Sequence, residues 1–298
     1  MRAGVTAVVG KPNVGKTTLM NFIVGQKVGI VSPKPQTTRK AILGIANLPG
    51  AQIVFKDTPG IHEPKTKLGA IMVERAKEVL STADVILFVV DVSRPPNEED
   101  RQIARLLNVH SSAPRVVALN KMDRLRPERV PEHYAAYEEL TAPSEMMYTT
   151  ALTGENVDKL IDRIVSRLPE AEPLFDDPDL YTTQTVRDMA AELIREQVLL
   201  ATRDEVPYGV AVVIESWEDA DPASPKPITK IGAVIVVERK SHKPILIGKD
   251  GRMLKKIGTA ARREIEDLVG RQVFLELFVK VREKWVDRPA LLKEYGLF

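Results

Sequence analysis

Ten residues into the chain, Gly10-Lys11-Pro12-Asn13-Val14-Gly15-Lys16-Thr17 follows a pattern few folds can accommodate: a glycine, four residues, then Gly-Lys-Thr. The apolar run at residues 5–9 before it reads as a short buried strand, and residues 17–24 after it as a helix ending at Gly25. Strand, glycine loop and helix start together present backbone N–H groups and a positive dipole end to an anion. Such a loop holds a ligand by its phosphates.

The pattern continues as alternation. Residues 5–9, 41–47, 52–57, 85–91, 115–120 and 146–150 read as strands, and residues 17–24, 72–80, 97–108, 131–140 and 156–168 as helices. That order predicts a mostly parallel, doubly wound α/β sheet covered on both faces, with the ligand at the carboxyl ends of its strands. Residues 169–180 are rich in proline and acid and read as a linker between a first domain over 1–168 and a second over 181–298. In the second, residues 183–201 have helical spacing, with Val186, Ala190, Leu193, Ile194 and Val198 on one face. Residues 209–216 and 230–239 form a strand pair, 252–269 a helix, 272–281 a strand, and a short helix follows Pro289.

Asn120-Lys121-Met122-Asp123 closes one of the strands, where its carboxyl end meets a ligand. A carboxylate only accepts hydrogen bonds, so Asp123 suits the N1–H and N2–H₂ donors on the edge of guanine. Adenine offers no such pair, and an unpaired Asp123 discriminates against it. Asp57-Thr58-Pro59-Gly60 ends the third strand, about forty residues after the glycine loop. Asp57 is expected to hold Mg²⁺, through water, and the Gly60 N–H to sense a γ-phosphate. Thr17 and one threonine of Thr37-Thr38 complete an oxygen shell of the kind Mg²⁺ takes.

With these motifs in this order, residues 1–168 resemble the Era family of translation-factor-class GTPases. The resemblance rests on the Pro-Asn phosphate loop, Pro35-Gln36-Thr37-Thr38-Arg39, the Asp57 and Asn120 motifs, and Thr149-Thr150-Ala151. It implies GTP and GDP as ligands of Gly10, Lys11, Pro12, Asn13, Val14, Gly15, Lys16, Thr17 and Thr18. It also implies Asp57, Thr58, Pro59, Gly60 and Ile61, then Asn120, Lys121, Met122 and Asp123. Thr150 and Ala151 then contact guanine through backbone, Thr150 standing where family members more often have serine. Thr38 is preferred as the metal ligand because relatives place it directly before arginine, and Asn13 is the residue expected to help bind K⁺. Ile61 occupies the place of the glutamine that orients the attacking water in Ras-like enzymes. Catalysis is therefore expected to rest on Lys16, Thr38 and the Gly60 amide, slowly, until a partner orders residues 29–40 and 58–68.

Gly248-Lys249-Asp250-Gly251 sits between apolar residues 245–247 and a helix carrying Arg252, Lys255 and Lys256. A KH domain clamps single-stranded nucleic acid with such a loop, and two strands before it with one after resembles the type II arrangement. Ile247, Gly248, Lys249, Asp250, Gly251, Arg252, Lys255 and Lys256 are the expected RNA contacts. Charge agrees: residues 226–298 hold 17 Lys and Arg against 9 Asp and Glu, whereas the rest of the chain leans acidic. Family resemblance implies the target, the 3′ end of 16S rRNA during maturation of the 30S subunit. Phe274, Phe278 and Trp285 are expected in the core rather than stacking on bases. An RNA-binding module using GTP only for integrity is one alternative. A tRNA-modifying GTPase is another, disfavoured because its C-terminal cysteine is missing from a chain with no cysteine at all. No apolar run approaches the ~20 residues of a membrane span. The expectation is a cytoplasmic monomer, compatible with peripheral association at the inner face of the cell membrane.

Overall fold

The computed structural model describes the chain except residues 35–36, 59–65, 142–143, 204–205, 222, 224–226 and 298. The elements run β1 Arg2–Val9, α1 Lys16–Val24, β2 Ile42–Leu48, β3 Ala51–Asp57, α2 Lys67–Thr82, β4 Val85–Asp91, α3 Glu98–His110, β5 Arg115–Asn120, α4 Val130–Thr141, β6 Glu145–Tyr148 and α5 Val157–Arg167. There follow α6 Val186–Ala201, β7 Val210–Glu218, β8 Ile228–Val237, α7 His242–Ile247, α8 Arg252–Val269, β9 Gln272–Val281 and α9 Pro289–Glu294. The described residues form two compact units. One holds most of the chain to Thr183, and the other joins Ile30–Thr37 and residues 66–68 to the chain from Gln184.

The first unit is a six-stranded sheet in the order β2-β3-β1-β4-β5-β6, parallel except for β2, which runs antiparallel to β3. Strands buried on both faces must be apolar throughout, and β4, Val-Ile-Leu-Phe-Val-Val-Asp, is buried over its first six residues. One core packs Leu19, Phe55, Leu160 and Ile164 on one side of the sheet; a second packs Ala76, Ile103, Leu107 and Tyr137 on the other. Phe55 is fully buried, and Phe55→Ala would cost about 3–5 kcal/mol in lost transfer energy and cavity. Helix α3 starts one residue later than its apolar spacing suggests because Asn97 is its cap: Asn97 Oδ1 accepts from Asp100 N (3.2 Å), and Asp100 Oδ2 accepts from Asn97 N (3.0 Å).

The acidic, proline-rich stretch expected as a linker is docked on this unit. Pro169 O accepts from Ala3 N (3.1 Å) and Ala171 N donates to Met1 O (3.0 Å). Gln52 then holds the backbone of residues 174–175: its Oε1 accepts from Leu174 N (2.7 Å) and Phe175 N (3.1 Å), and its Nε2 donates to Phe175 O (2.9 Å). At the far end, Tyr181 O accepts from Ile45 N on β2 (2.9 Å), and Thr182 Oγ1 donates to Leu43 O (2.7 Å).

In the second unit β8 pairs antiparallel with β7 and parallel with β9 over ten residues. Ala190, Leu193, Ile194 and Val198 of α6 and Ile257, Ala261 and Ile265 of α8 build a core with Ile231, Ala233, Ile235, Val273 and Val279 of the sheet. Trp285 is fully buried and donates its Nε1 hydrogen to Gly209 O at 3.0 Å. The two phenylalanines depart from expectation. Phe274 and Phe278 are 52% and 59% exposed, because they alternate along β9 with Leu275 and Leu277, and those take the core side.

Candidate functional site

At the carboxyl end of β1 the chain turns through Gly10 at φ 152°, Asn13 at 64° and Gly15 at 104°. Gly15 tolerates no side chain on two counts: its φ is left-handed, and a Cβ there would lie 2.3 Å from Asn120 Nδ2. Gly15 also caps α1 without a side-chain hydrogen bond, which leaves the N–H groups of the first helical turn to an anion. Lys16 is buried, and its ammonium donates to Gly10 O (2.9 Å) and Lys11 O (3.1 Å). Burial pulls its pKa down, against the attraction of Asp57. A cation held this way gains when phosphate oxygens replace neutral carbonyls.

Three of the residues expected around a divalent cation meet beside it. Thr17 Oγ1 lies 2.5 Å from Asp57 Oδ2 and 3.1 Å from Thr38 Oγ1, and Thr38 Oγ1 lies 3.3 Å from the same carboxylate oxygen. Asp57 is completely buried, and its Oδ1 has no hydrogen-bond partner among the described residues. Burial raises its pKa, only partly countered by Lys16 and the two hydroxyls. A buried carboxylate oxygen lacking a partner, with two hydroxyls beside it, fits a hard cation that keeps most of its waters. No cluster of three or more His, Cys, Asp or Glu suited to a metal exists among the described residues, so an all-protein cage is not what this set offers. Pro59, Gly60 and Ile61 lie outside the described residues; Thr58, buried, donates its Oγ1 hydrogen to Val8 O at 2.9 Å.

The strand end that carries Asn120 and Asp123 is tied to the same loop. Asn120 Nδ2 donates to Val14 O (2.7 Å), while its Oδ1 accepts from Ala151 N (2.9 Å). Lys121, at φ 63°, reaches back to Asn13 O and to Asp91 Oδ2, each at 2.6 Å. Burial works against the charge of Asp91, but the hydrogen bonds from Lys121 and Ser93 outweigh it and hold that carboxyl below its usual pKa. Met122 opens a one-turn helix with Asp123, whose carboxylate is exposed and ready to accept. Thr150 N donates to Glu155 O (3.1 Å). A backbone contact from Ala151 to guanine therefore means sharing its N–H with Asn120. Lys11 points elsewhere, pairing at 2.6 Å with the buried Asp100 of the α3 cap.

On the second unit the expected loop forms between α7 and α8. Gly248 (φ 69°, ψ 177°), Asp250 (φ 52°) and Gly251 (φ 75°) all take positive φ. A Cβ on Gly248 would meet Met253 N at 2.9 Å, whereas one on Gly251 would meet nothing. Lys249, Arg252, Lys255 and Lys256 are exposed and Ile247 half-buried. Beside them runs a groove of about 380 Å³ between α8 and β9, lined by Gly251, Leu254, Lys255, Gly258, Leu275 and Leu277. Glycine at 258 keeps its wall low, since a Cβ there would press on Leu277 at 3.2 Å. An apolar floor with a cationic rim and a glycine edge accommodates bases and their phosphates.

Residue spacing did not single out Arg195 or Glu196, both buried on α6. Inside an amphipathic helix they look like ordinary surface charges, and nothing local marks them.

Residues 5–121 match the family of 50S ribosome-binding GTPases, and residues 205–286 match the KH domain. Over 295 residues, 99% of this chain and 97% of the relative, the sequence is 46% identical to GTPase Era of Geotalea daltonii. It is 44% identical to GTPase Era of Aquifex aeolicus, covering 99% of both. A crystal structure of an Aquifex aeolicus Era variant bound to GDP·AlF4⁻ superposes with a TM-score of 0.91 at 43% identity, covering 100% of this chain and 99% of the other. A second, of Era with MgGDPNP and nucleotides 1506–1542 of 16S ribosomal RNA, does so with a TM-score of 0.94, at the same identity and coverage.

Proposed function

The chain belongs to the Era family of GTPases, and on that footing we propose that it serves small-subunit assembly, gripping the 3′ end region of 16S rRNA in a nucleotide-dependent way and promoting 30S maturation. It is a GTPase. The observation that carries the RNA reading is the pairing, in one chain, of a guanine-nucleotide site with a glycine loop and cationic groove. The Era structure bound to MgGDPNP and 16S nucleotides has the same fold over its whole length.

In this reading the amides of residues 10–18 and the Lys16 ammonium hold the phosphates, and Asp123 reads guanine with Asn120 and Lys121 as its braces. Thr17, Thr38 and Asp57 hold Mg²⁺, which when bound neutralises charge on the β- and γ-phosphates. Asn13, whose carbonyl is fixed by Lys121, is the residue through which K⁺ adds a further positive charge. Ile61 can neither donate nor accept, so turnover of the protein alone is slow, and Gly60 contributes only its amide. Ile247 to Arg252 with Lys255 and Lys256 clamp the RNA. No helix among the described residues is long and apolar enough to cross a membrane. We assign a cytoplasmic monomer, a reading compatible with peripheral association at the inner face of the cell membrane.

The test compares the full-length protein's affinity for an RNA of the 16S 3′ end when loaded with GDPNP and with GDP, and its turnover with and without that RNA in potassium and sodium salts. Tighter binding with GDPNP and faster turnover with RNA are expected, with potassium outperforming sodium. Equal affinity in both nucleotide states would remove the switch from the reading, and equal rates in the two salts would remove K⁺.

A further inference from the structure

Side chains hold the carbonyls of the glycine loop. Asn120 and Lys121 donate to those of Val14 and Asn13, and the Lys16 ammonium donates to those of Gly10 and Lys11. The last two bonds come from the cation that is to meet the phosphates. When Lys16 turns from neutral carbonyls to phosphate oxygens, the limb of the loop at residues 10–12 gives up this internal brace. A contact of the limb that does not depend on Lys16 is an ion pair: the Lys11 ammonium donates to Asp100 Oδ2 at 2.6 Å.

Capping of α3 does not by itself call for that pair. Asp100 is fully buried, and only 12% of the Lys11 side chain is exposed. Asp100 Oδ2 is shared between Lys11 and the backbone N–H of Asn97 at 3.0 Å, while Oδ1 has no hydrogen-bond partner among the described residues. A neutral carboxamide at position 100 could accept from Asn97 N as well, without burying a charge. A buried ion pair is often no more stabilising than apolar side chains of the same size. What the charge adds is a directed hold on Lys11, joining the first turn of α3 to a loop 89 positions earlier in the chain.

We propose that Asp100 is a positioning residue for the guanine nucleotide: through Lys11 it keeps residues 10–12 in their binding geometry after Lys16 has left their carbonyls for the phosphates. The proposal rests on the reading of residues 10–18 as the phosphate loop. Both side chains belong to the first compact unit. GDP and GTP share the α- and β-phosphates, so the hold serves ground state and transition state alike. Its loss shows in the release of nucleotide rather than in the chemical step.

Release of mant-labelled GDP and thermal melts of full-length variants separate positioning from stability. Asp100→Asn is expected to speed release about tenfold, the scale of one charge-assisted hydrogen bond, and to raise KM for GTP similarly with kcat within about twofold. Lys11→Arg keeps the pair and should restrain release almost as wild type does. The Lys11→Met/Asp100→Asn double variant removes both buried charges, so its melting temperature should return to the wild-type range while its release stays fast. Asn97→Ala strips the α3 cap and leaves the pair, so it should lower the melting temperature with release within about twofold of wild type. Wild-type release in the double variant, or release in Asn97→Ala as fast as in Asp100→Asn, would overturn the role of Asp100. Wild-type GDP affinity in Lys16→Ala would instead sink the phosphate-loop reading on which it stands. Should Asp100→Asn not fold, the double variant, in which no charge is left unpaired, carries the release measurement.

Discussion

Asn120 Nδ2 donates to the carbonyl of Val14 at 2.7 Å, so the strand end proposed to read the base is hydrogen-bonded to the loop proposed to hold the phosphates. Its Oδ1 accepts from Ala151 N at 2.9 Å, and one amide thus sets the spacing of three loops. Asn120→Ala is expected to weaken GTP and GDP alike by about tenfold or more, since it leaves buried partners unmet worth ~1–3 kcal/mol. Nucleotide titration of the full-length protein checks it; a loss confined to one nucleotide would contradict a shared brace.

Asp123→Asn exchanges an acceptor pair for an acceptor and a donor. Guanosine triphosphate should then lose roughly 10²-fold or more in kcat/KM, while xanthosine triphosphate, which carries a carbonyl in place of the exocyclic amine, should gain. Steady-state hydrolysis of the two nucleotides decides the matter.

Burial holds the folded-state pKa of Asp57 above its unfolded value, against Lys16 and the hydroxyls of Thr17 and Thr38. The native state therefore binds this proton more firmly than the unfolded chain. The carboxyl's contribution to stability is present below about pH 3.9 and is lost as pH rises through the raised value. Asp57→Asn should raise the melting temperature of the nucleotide- and magnesium-free protein at pH 7, by ~2–4 °C for each kcal/mol regained, with the gain shrinking toward pH 4. It should also abolish magnesium-dependent turnover. Melts in EDTA across this range would show the opposite slope if the carboxylate were stabilising.

Lys255→Ala and Lys249→Ala remove exposed charges beside the glycine loop. Each should weaken RNA binding at all sequences, reduce the slope of log K against log salt by about one, and leave turnover without RNA unchanged. Gly248→Ala differs in kind, because its Cβ would meet backbone at 2.9 Å. It should cost about 1–3 kcal/mol in stability as well as RNA affinity. Gly251→Ala, with open space around it, should cost only its unfavourable φ.

Much of this arrangement is legible in the chain. Strands β4 and β5, helix α8 and strand β9 begin and end where residue patterns place them, α8 because left-handed glycines stand at both its ends, Gly251 and Gly270. Helix α2 is longer than its apolar spacing predicts: it starts at Lys67 rather than 72, because Gly69 breaks the apolar spacing without breaking the helix. The convergence of Thr17, Thr38 and Asp57 was readable since each sits in a motif of fixed order. The burial of Arg195 leaves no such trace: it bonds Glu192 on its own helix and a backbone carbonyl 158 positions away, and carbonyls leave no mark on a sequence. The exposure of Phe274 and Phe278 was also missed: alternation tells two faces apart but does not say which one the helices cover.

The docked stretch after α5 has a practical consequence. Strand β2 is the outermost of its sheet, and Ile45 N and Leu43 O on its outer side are engaged by Tyr181 O and Thr182 Oγ1. Cutting the chain at 168, where the GTPase pattern ends, strips that cover and leaves a bare strand margin of the kind that recruits other chains. A fragment ending after Thr183 keeps its seam closed. Aggregation of the shorter piece would then report on a missing hem rather than on an unstable GTPase.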